Sequence, residues 1–297
     1  MGDVGYLAQQ VINGLQLGLV YALIALGYTM VYGIIRLINF AHGDVFMVGA
    51  FVGFFVIGTF HQSFLVAILA AMVVCMVLAV TIERFAYRPL RRAPRIASLI
   101  TAIGVSIFLE YFTSLKFVFG PNIRTFPRPF EVVTWNIGGL NITSIQIMVL
   151  AVTLLMLALL QFVVYRTKMG MAMRGVSFDF DTAKLMGINV DVVVSFTFAL
   201  GSALAGAGGV LFAIAYPQVQ PFMGIMPGLK AFVAAVLGGI GIIPGAMLGA
   251  LIMGQAEVLT AAFVSTTWKD AVAFAILIVV LMLKPTGLLG KRGTDKV

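Results

Sequence analysis

Six stretches of this chain contain no Asp, Glu, Lys or Arg, and their length dictates the solvent in which it folds. Val4–Ile35, Val45–Ile82, Val132–Tyr165, Val192–Leu229 and Ala231–Ala256 are each long enough to cross a bilayer. The shorter Ile96–Leu109 is extended by Tyr111–Leu115 around Glu110. A span needs about 20 predominantly apolar residues, and in hydrocarbon only a helix or a closed barrel satisfies its own backbone. The runs are continuous rather than alternating, which excludes barrel strands. The fold class is therefore all-α, a polytopic helical membrane protein.

With 61% hydrophobic and 10% charged residues, no segment is long or polar enough to form a separate soluble domain. Residues 1–297 are expected to be one transmembrane domain. The single Cys75 lies mid-span, can form no intramolecular disulfide, and reads as a packing residue. The segment 1–10 has no basic region and no small-residue cleavage site, so the first helix is expected to act as the insertion signal. The formal net charge of +8 fits Lys and Arg on cytoplasmic loops facing anionic headgroups, with no nucleic-acid partner.

Positive charge concentrates in three places: Arg84, Arg88, Arg91, Arg92 and Arg95; then Arg166, Lys168, Arg174 and Lys184; then Lys284, Lys291, Arg292 and Lys296. Together they hold 13 of the 19 Lys and Arg residues, so all three regions should share the cytoplasmic side. This predicts cytoplasmic loops at about 84–95 and 166–191 and a cytoplasmic tail at 285–297. The Pro-containing segment 116–140 between the spans 97–115 and 142–165 becomes an external loop.

Parity then demands an even number of spans between the second region and the tail, whereas 192–216, 230–262 and 267–284 make three. Splitting the middle one at Gly238-Gly239-Ile240-Gly241-Ile242-Ile243-Pro244-Gly245 repairs the count, since Gly is a poor helix former and Pro removes a backbone donor. Lys230–Ile240 and Ala246–Phe263 are thus expected to be separate elements. A second break follows the first helix (Leu7–Ile35) at Asn39-Phe40-Ala41-His42-Gly43. If residues 44–58 span, the chain crosses nine times with its N-terminus outside; if they re-enter, it crosses eight times with the N-terminus inside.

The two halves show a loose parallel. Asn39–Gly43 followed by Ala50–Gly53 resembles Pro221–Gly224 followed by Ala231–Ala234, and paired interrupted segments point to a transporter's central site. The candidate translocation path is therefore Asn39, His42, Gly43, Gly238, Gly239 and Pro244. His42 equally suits a hydrogen bond to a freed carbonyl. Asp44, Glu110 and Glu257 lie in or beside spans, where an ionisable residue is costly and functional by default; Asp44 beside Arg36 is the structural alternative.

The most informative polar segment runs from Tyr165 to Asn189. With Ser177 and Asp179 as candidate N-caps, it can form one short helix with Asp181 in its first turn. Thr182, Leu185, Met186 and Asn189 share a face, and Gly187 can end the helix in a left-handed conformation. Such a helix suits a cleft in a cytoplasmic partner. Lying flat on the membrane is the alternative.

Asp181-Thr182-Ala183, three residues and Gly187 resemble the Glu-Ala-Ala-x-x-x-Gly loop that ABC importer permeases present to their ATPases. Asn13–Ala50, Arg91–Glu110, Met173–Asp191, Leu229–Glu257 and Lys284–Gly290 resemble the branched-chain amino acid family of those permeases, its smaller membrane subunit. Thr182 and Asp181 depart from the family's Ala and Glu, and the loop lacks an Ile-x-Leu-Pro end. The resemblance implies a non-enzymatic subunit in a bacterial-type inner membrane. It also implies a second related permease subunit, two ATP-binding cassette subunits and an external solute-binding protein as partners. Asp181, Thr182, Ala183, Leu185, Met186 and Gly187 would form the ATPase-coupling loop.

No Gly-x-x-x-x-Gly-Lys-Ser/Thr appears, so ATP is expected on partner subunits and no cofactor on this chain. With two His and no cluster of His, Asp or Glu, a membrane enzyme or metal site is disfavoured. Related permeases for urea, short amides or other amino acids, and an ion-coupled secondary transporter, are the alternatives. The coupling loop separates the importer from the secondary transporter.

Overall fold

A computed structural model describes residues 3–91 and 93–290. Arg92, Lys291, Arg292 and Lys296, counted above, lie outside the described residues. The chain runs α1 (Asp3–Ile35), α2 (His42–Gly58), α3 (Phe64–Ile82), α4 (Arg95–Ser114), β1 (Arg124–Thr125), β2 (Thr134–Ile137), β3 (Leu140–Thr143), α5 (Ser144–Arg166), α6 (Lys168–Phe178), α7 (Phe180–Leu185), α8 (Val190–Ala215), β4 (Gln218–Val219), α9 (Ile225–Gly238), α10 (Ile243–Phe263) and α11 (Lys269–Leu283). A π-helical turn, Glu83–Tyr87, and a 3-10 turn, Arg88–Leu90, prolong α3. Among the described residues, six helices are long and apolar enough to cross a bilayer: α1, prolonged α3, α4, α5, α8 and α10. The protein is a polytopic helical membrane protein.

Contacts between loops define the two ends of the bundle. At one end, β2 and β3 form an antiparallel hairpin and β1 pairs with β4. Gln9 in the first turns of α1 exchanges hydrogen bonds with the Asn141 backbone there, at 2.8 and 3.0 Å. At the opposite, basic end, Ile35 and Leu37 share a cleft with Arg88, Arg91 and Asp181. The Leu288 N–H donates to the Leu237 carbonyl at 2.8 Å, which brings the α9–α10 turn and the segment after α11 together. The described chain accordingly passes nine times between these two ends, α1 starting at the hairpin end and α11 finishing at the basic end.

Burial ranks the helices. The apolar windows of α1 and α8 are 83% and 78% buried, against 22–33% for α3, α4 and α5. The central pair thus forms the core, while the outer helices turn apolar faces to lipid or a partner. α1 packs on α10 and α8 on α3, through small residues that let backbones approach closely.

α2 and α9 have 17 and 14 residues, about 25 and 21 Å at 1.5 Å per residue, short of the ~30 Å hydrocarbon core. Their first turns meet inside the bundle, where a β-carbon added at Gly43 would stand 2.6 Å from the Gly224 carbonyl oxygen. From there α2 runs to the hairpin end, where Gly58 meets Pro127, and α9 runs to the basic end, where Gly239 meets Gly290. Non-helical segments 36–41 and 216–224 complete these two crossings and contain positive-φ residues Arg36 and Phe222. Broken backbone at this depth is tolerated because protein covers it: Asn39 and His42 are buried.

The expected split near Gly238–Gly245 is present, with shifted bounds. α9 begins five residues before Lys230, and α10 begins at Ile243 because Pro244 fits its first turn. The segment 116–140 does not dangle. Phe119 stacks on Phe51 at 4.3 Å and Phe126 is buried, so it caps the end of α2.

Candidate functional site: coupling loop and interrupted core

The loop at the basic end holds two helices where the sequence suggests one. α6 is started by Thr167, whose side chain accepts from the Gly170 N–H at 3.0 Å. Arg174 fastens it by donating to the Val164 carbonyl and lying over the Tyr165 ring. Thr167 and the apolar Met169, Met173 and Val176 were the legible signals for α6.

Asp179, rather than Ser177, caps α7: its carboxylate accepts from the Thr182 N–H at 2.6 Å. That bond holds the Asp179 carboxyl below the usual carboxylate range. At the other end, Ile188 N–H donates to Ala183 O (3.1 Å) and Gly187 N–H to Lys184 O (3.0 Å), the paired bonds of a Schellman cap. Gly187 has φ +81° with no atom within 4 Å of an added β-carbon, so backbone conformation alone selects glycine there. Ala183 is buried, while Thr182, Leu185 and Met186 are exposed, Leu185 to 86% and Met186 to 77%. Asn189 does not share that face. It caps α8, accepting from Val192 N–H at 3.3 Å.

A cleft of about 750 Å³ separates α7 from the end of α1; Asp181, Lys184, Arg88, Arg91 and Asp191 line it. Asp191, in the first turn of α8, pairs with Arg88 and with Arg91 (2.5 Å to the latter). Arg91 also pairs with the buried Glu83, which accepts from Ser195 Oγ at 2.6 Å. Four residues further along, the buried Tyr87 hydroxyl donates to Asn39 Oδ1 at 2.9 Å. Two polar clusters, one at the start of α8 facing α7 across the cleft and one at Tyr87 and Asn39, thus lie along the π-helical turn between α7 and the interruption before α2.

Asn39, His42 and Gly43 converge at that interruption. The His42 ring lies edge-on to Tyr28 with centroids 4.7 Å apart and presses on Gly27. The Ile24 carbonyl is close, yet neither ring nitrogen makes a hydrogen bond of ordinary geometry. Asp44 does not pair with Arg36. α2 carries it inward, where Ser106 Oγ of α4 donates to it at 2.5 Å. Asp44, Ser106 and Glu110 line a cleft of about 230 Å³ with Gly43, Gly224 and Phe232.

Gly238, Gly239 and Pro244 are not part of this cluster. They form the α9–α10 turn at the basic end, where an added β-carbon at Gly238 would stand 1.9 Å from the Gly245 carbonyl oxygen. The break is a tight turn between α9 and α10.

Sequence reasoning missed Lys230 as a site residue. Its ammonium lies 2.6 Å from both Glu257 and Asp270, and Tyr21 OH donates to Glu257 at 2.8 Å. The signal was present: Lys230 is the lone cation between Val192 and Ala256, and an intramembrane cation needs acidic partners.

The family profile described as branched-chain amino acid transport system / permease component matches residues 10–281. The high-affinity branched-chain amino acid transport system permease protein LivH of Escherichia coli (strain K12) is 46% identical over 98% of this chain and 98% of its own length. Its counterpart in Salmonella typhimurium is equally similar. The permease protein BraD of Pseudomonas aeruginosa is 41% identical over the full length of both chains. No solved structure matches. The chain belongs to the branched-chain amino acid transport system permease family.

Proposed function

We propose that this chain is one membrane subunit of an ATP-driven importer and that it carries branched-chain amino acids into the cell. α7 is the observation that carries the reading. Leu185 and Met186, two large apolar side chains, project from the basic end on a helix fixed by a cap at each terminus. Exposed apolar residues on a polar loop mark a docking surface. The ATPase cleft is their proposed receptor. The high identity to LivH and BraD over the whole chain supports the substrate class.

In this reading the basic end and the C-terminus are cytoplasmic, and the hairpin end faces the solute-binding protein. Nucleotide is bound and hydrolysed on two ATP-binding cassette subunits, and a second related permease completes the membrane core. Movement of α7 passes through Asp191, Arg91 and Glu83 to Tyr87 and Asn39, which displaces the segment 36–41 against α2. The nine-crossing core opens and closes around that interruption.

The test is reconstitution in proteoliposomes of the chain with its ATPases, second permease and binding protein. ATP-dependent uptake of leucine, isoleucine and valine is expected. Uptake by the isolated chain without ATPases, or uptake of urea or short amides in place of these amino acids, would contradict the reading.

A further inference from the structure

At the hairpin end, a cleft of about 500 Å³ opens between α1, α9, α10 and the start of α11, within the size range of small-molecule sites. It is separate from the cluster at Asn39–Asp44 and from the coupling loop. Phe212, Met223, Met226 and Val258 contribute apolar walls. Lys230 and Glu257 line the cleft, and both are buried.

Two cations and two anions meet here: Lys230 lies 2.6 Å from Glu257 and 2.6 Å from Asp270, and Lys269 lies 3.7 Å from Glu257. The formal charges cancel, so an added anion or cation would leave one charge uncompensated in a poorly hydrated place. A zwitterion adds none. Lys269, 40% exposed and at the longest of these distances, is positioned to take a carboxylate. Glu257, the acid that lines the cleft, stands to take an ammonium group, while Asp270 holds the far side of Lys230. The apolar part of the lining offers contacts to a side chain without polar atoms, and Tyr216, Gln218 and Gln220 complete the wall.

We infer that this outer cleft is a binding site for a zwitterionic α-amino acid with an apolar side chain, occupied between delivery at the hairpin end and passage through the core. The inference rests on the proposed transport function, which supplies the orientation and the substrate class.

Thiol protection in the assembled complex tests it. Met226, 44% exposed on the cleft wall, is replaced by Cys; the native Cys75 is fully buried and does not compete on this chain. Leucine at millimolar concentration should slow modification of Met226→Cys by a water-soluble thiol reagent. Leucinamide, which lacks the carboxylate, should protect poorly. Adding Lys269→Gln should raise the leucine concentration needed for half protection about tenfold, the scale of one lost charge-assisted hydrogen bond. That variant leaves both Lys230 ion pairs in place, so folding is preserved. Leucine uptake by Lys269→Gln should likewise show a raised KM with kcat little changed, while the isolated binding protein keeps its affinity. No protection by leucine in a complex that performs ATP-driven leucine uptake would overturn the site and leave the proposed function standing. Equal protection by leucine and leucinamide would overturn the zwitterion reading. Absence of any branched-chain amino acid uptake by the wild-type complex would overturn the function and the site together.

Discussion

A β-carbon at Gly27 would stand 2.2 Å from His42 Nε2 and 2.8 Å from the Gly201 carbonyl oxygen, so a single hydrogen atom lets α1, α2 and α8 meet. Gly27→Ala should lower stability by about 1–3 kcal/mol, the usual cost of overpacking a core, read as a lower thermal midpoint of the purified complex. His42→Ala removes one of the two clashes. The double variant should therefore be more stable than the sum of the single effects, whereas simple additivity would show that the ring does not constrain Gly27. His42 illustrates what sequence conveys at this scale. Its place in a helix break was legible, but its contacts with Gly27, Tyr28 and Gly201 depend on helices distant in sequence. Lys230 with Glu257 and Asp270, and Tyr87 with Asn39, were hidden for the same reason: each pair is chosen by packing rather than by local spacing.

Among the elements, α7 was the most legible because caps are local chemistry. Asp179 bonds an amide three residues on, and Gly187 adopts a conformation that glycine tolerates best. Gly187→Val should cost about 1–2 kcal/mol through the left-handed backbone alone, weaken ATPase copurification and lower uptake at normal expression. Gly187→Asn should retain most of both, since Asn visits this conformation; equal loss in the two variants would point to a side-chain contact instead. The π-helical turn after α3 was not legible, because the span's apolar run gives no sign of where its hydrogen bonding changes register. That turn presents Tyr87 to Asn39. Tyr87→Phe leaves the buried Asn39 without its donor, and a severalfold fall in uptake with ATPase binding retained is expected. Unchanged uptake would remove this bond from the transmission route.

For the whole molecule, the alternation of ends is the strongest constraint. Charge and parity predicted a break near Gly238–Gly245, and the nine crossings follow once α2 and α9 are recognised as short helices completed by bent chain. A cysteine at Ile242 should react with impermeant thiol reagents only from the cytoplasmic side and one at Thr266 only from outside; reaction of both from one side would refute the topology. Mid-bundle meeting of α2 and α9 was only hinted at in Asn39–Gly43 and Pro221–Gly224, since neither motif encodes how deep its helix begins.

Coupling of this chain to ATP hydrolysis is assigned to the tip of α7. Leu185→Asp with Met186→Asp removes two exposed apolar contacts, each worth about 1.5–3 kcal/mol when buried, without touching the core. In proteoliposomes holding the complete complex, ATP-dependent uptake of radiolabelled leucine should fall more than tenfold, with the chain inserted normally and ATPase association reduced in parallel. Uptake and ATPase association equal to wild type would contradict the assignment of α7 as the coupling element.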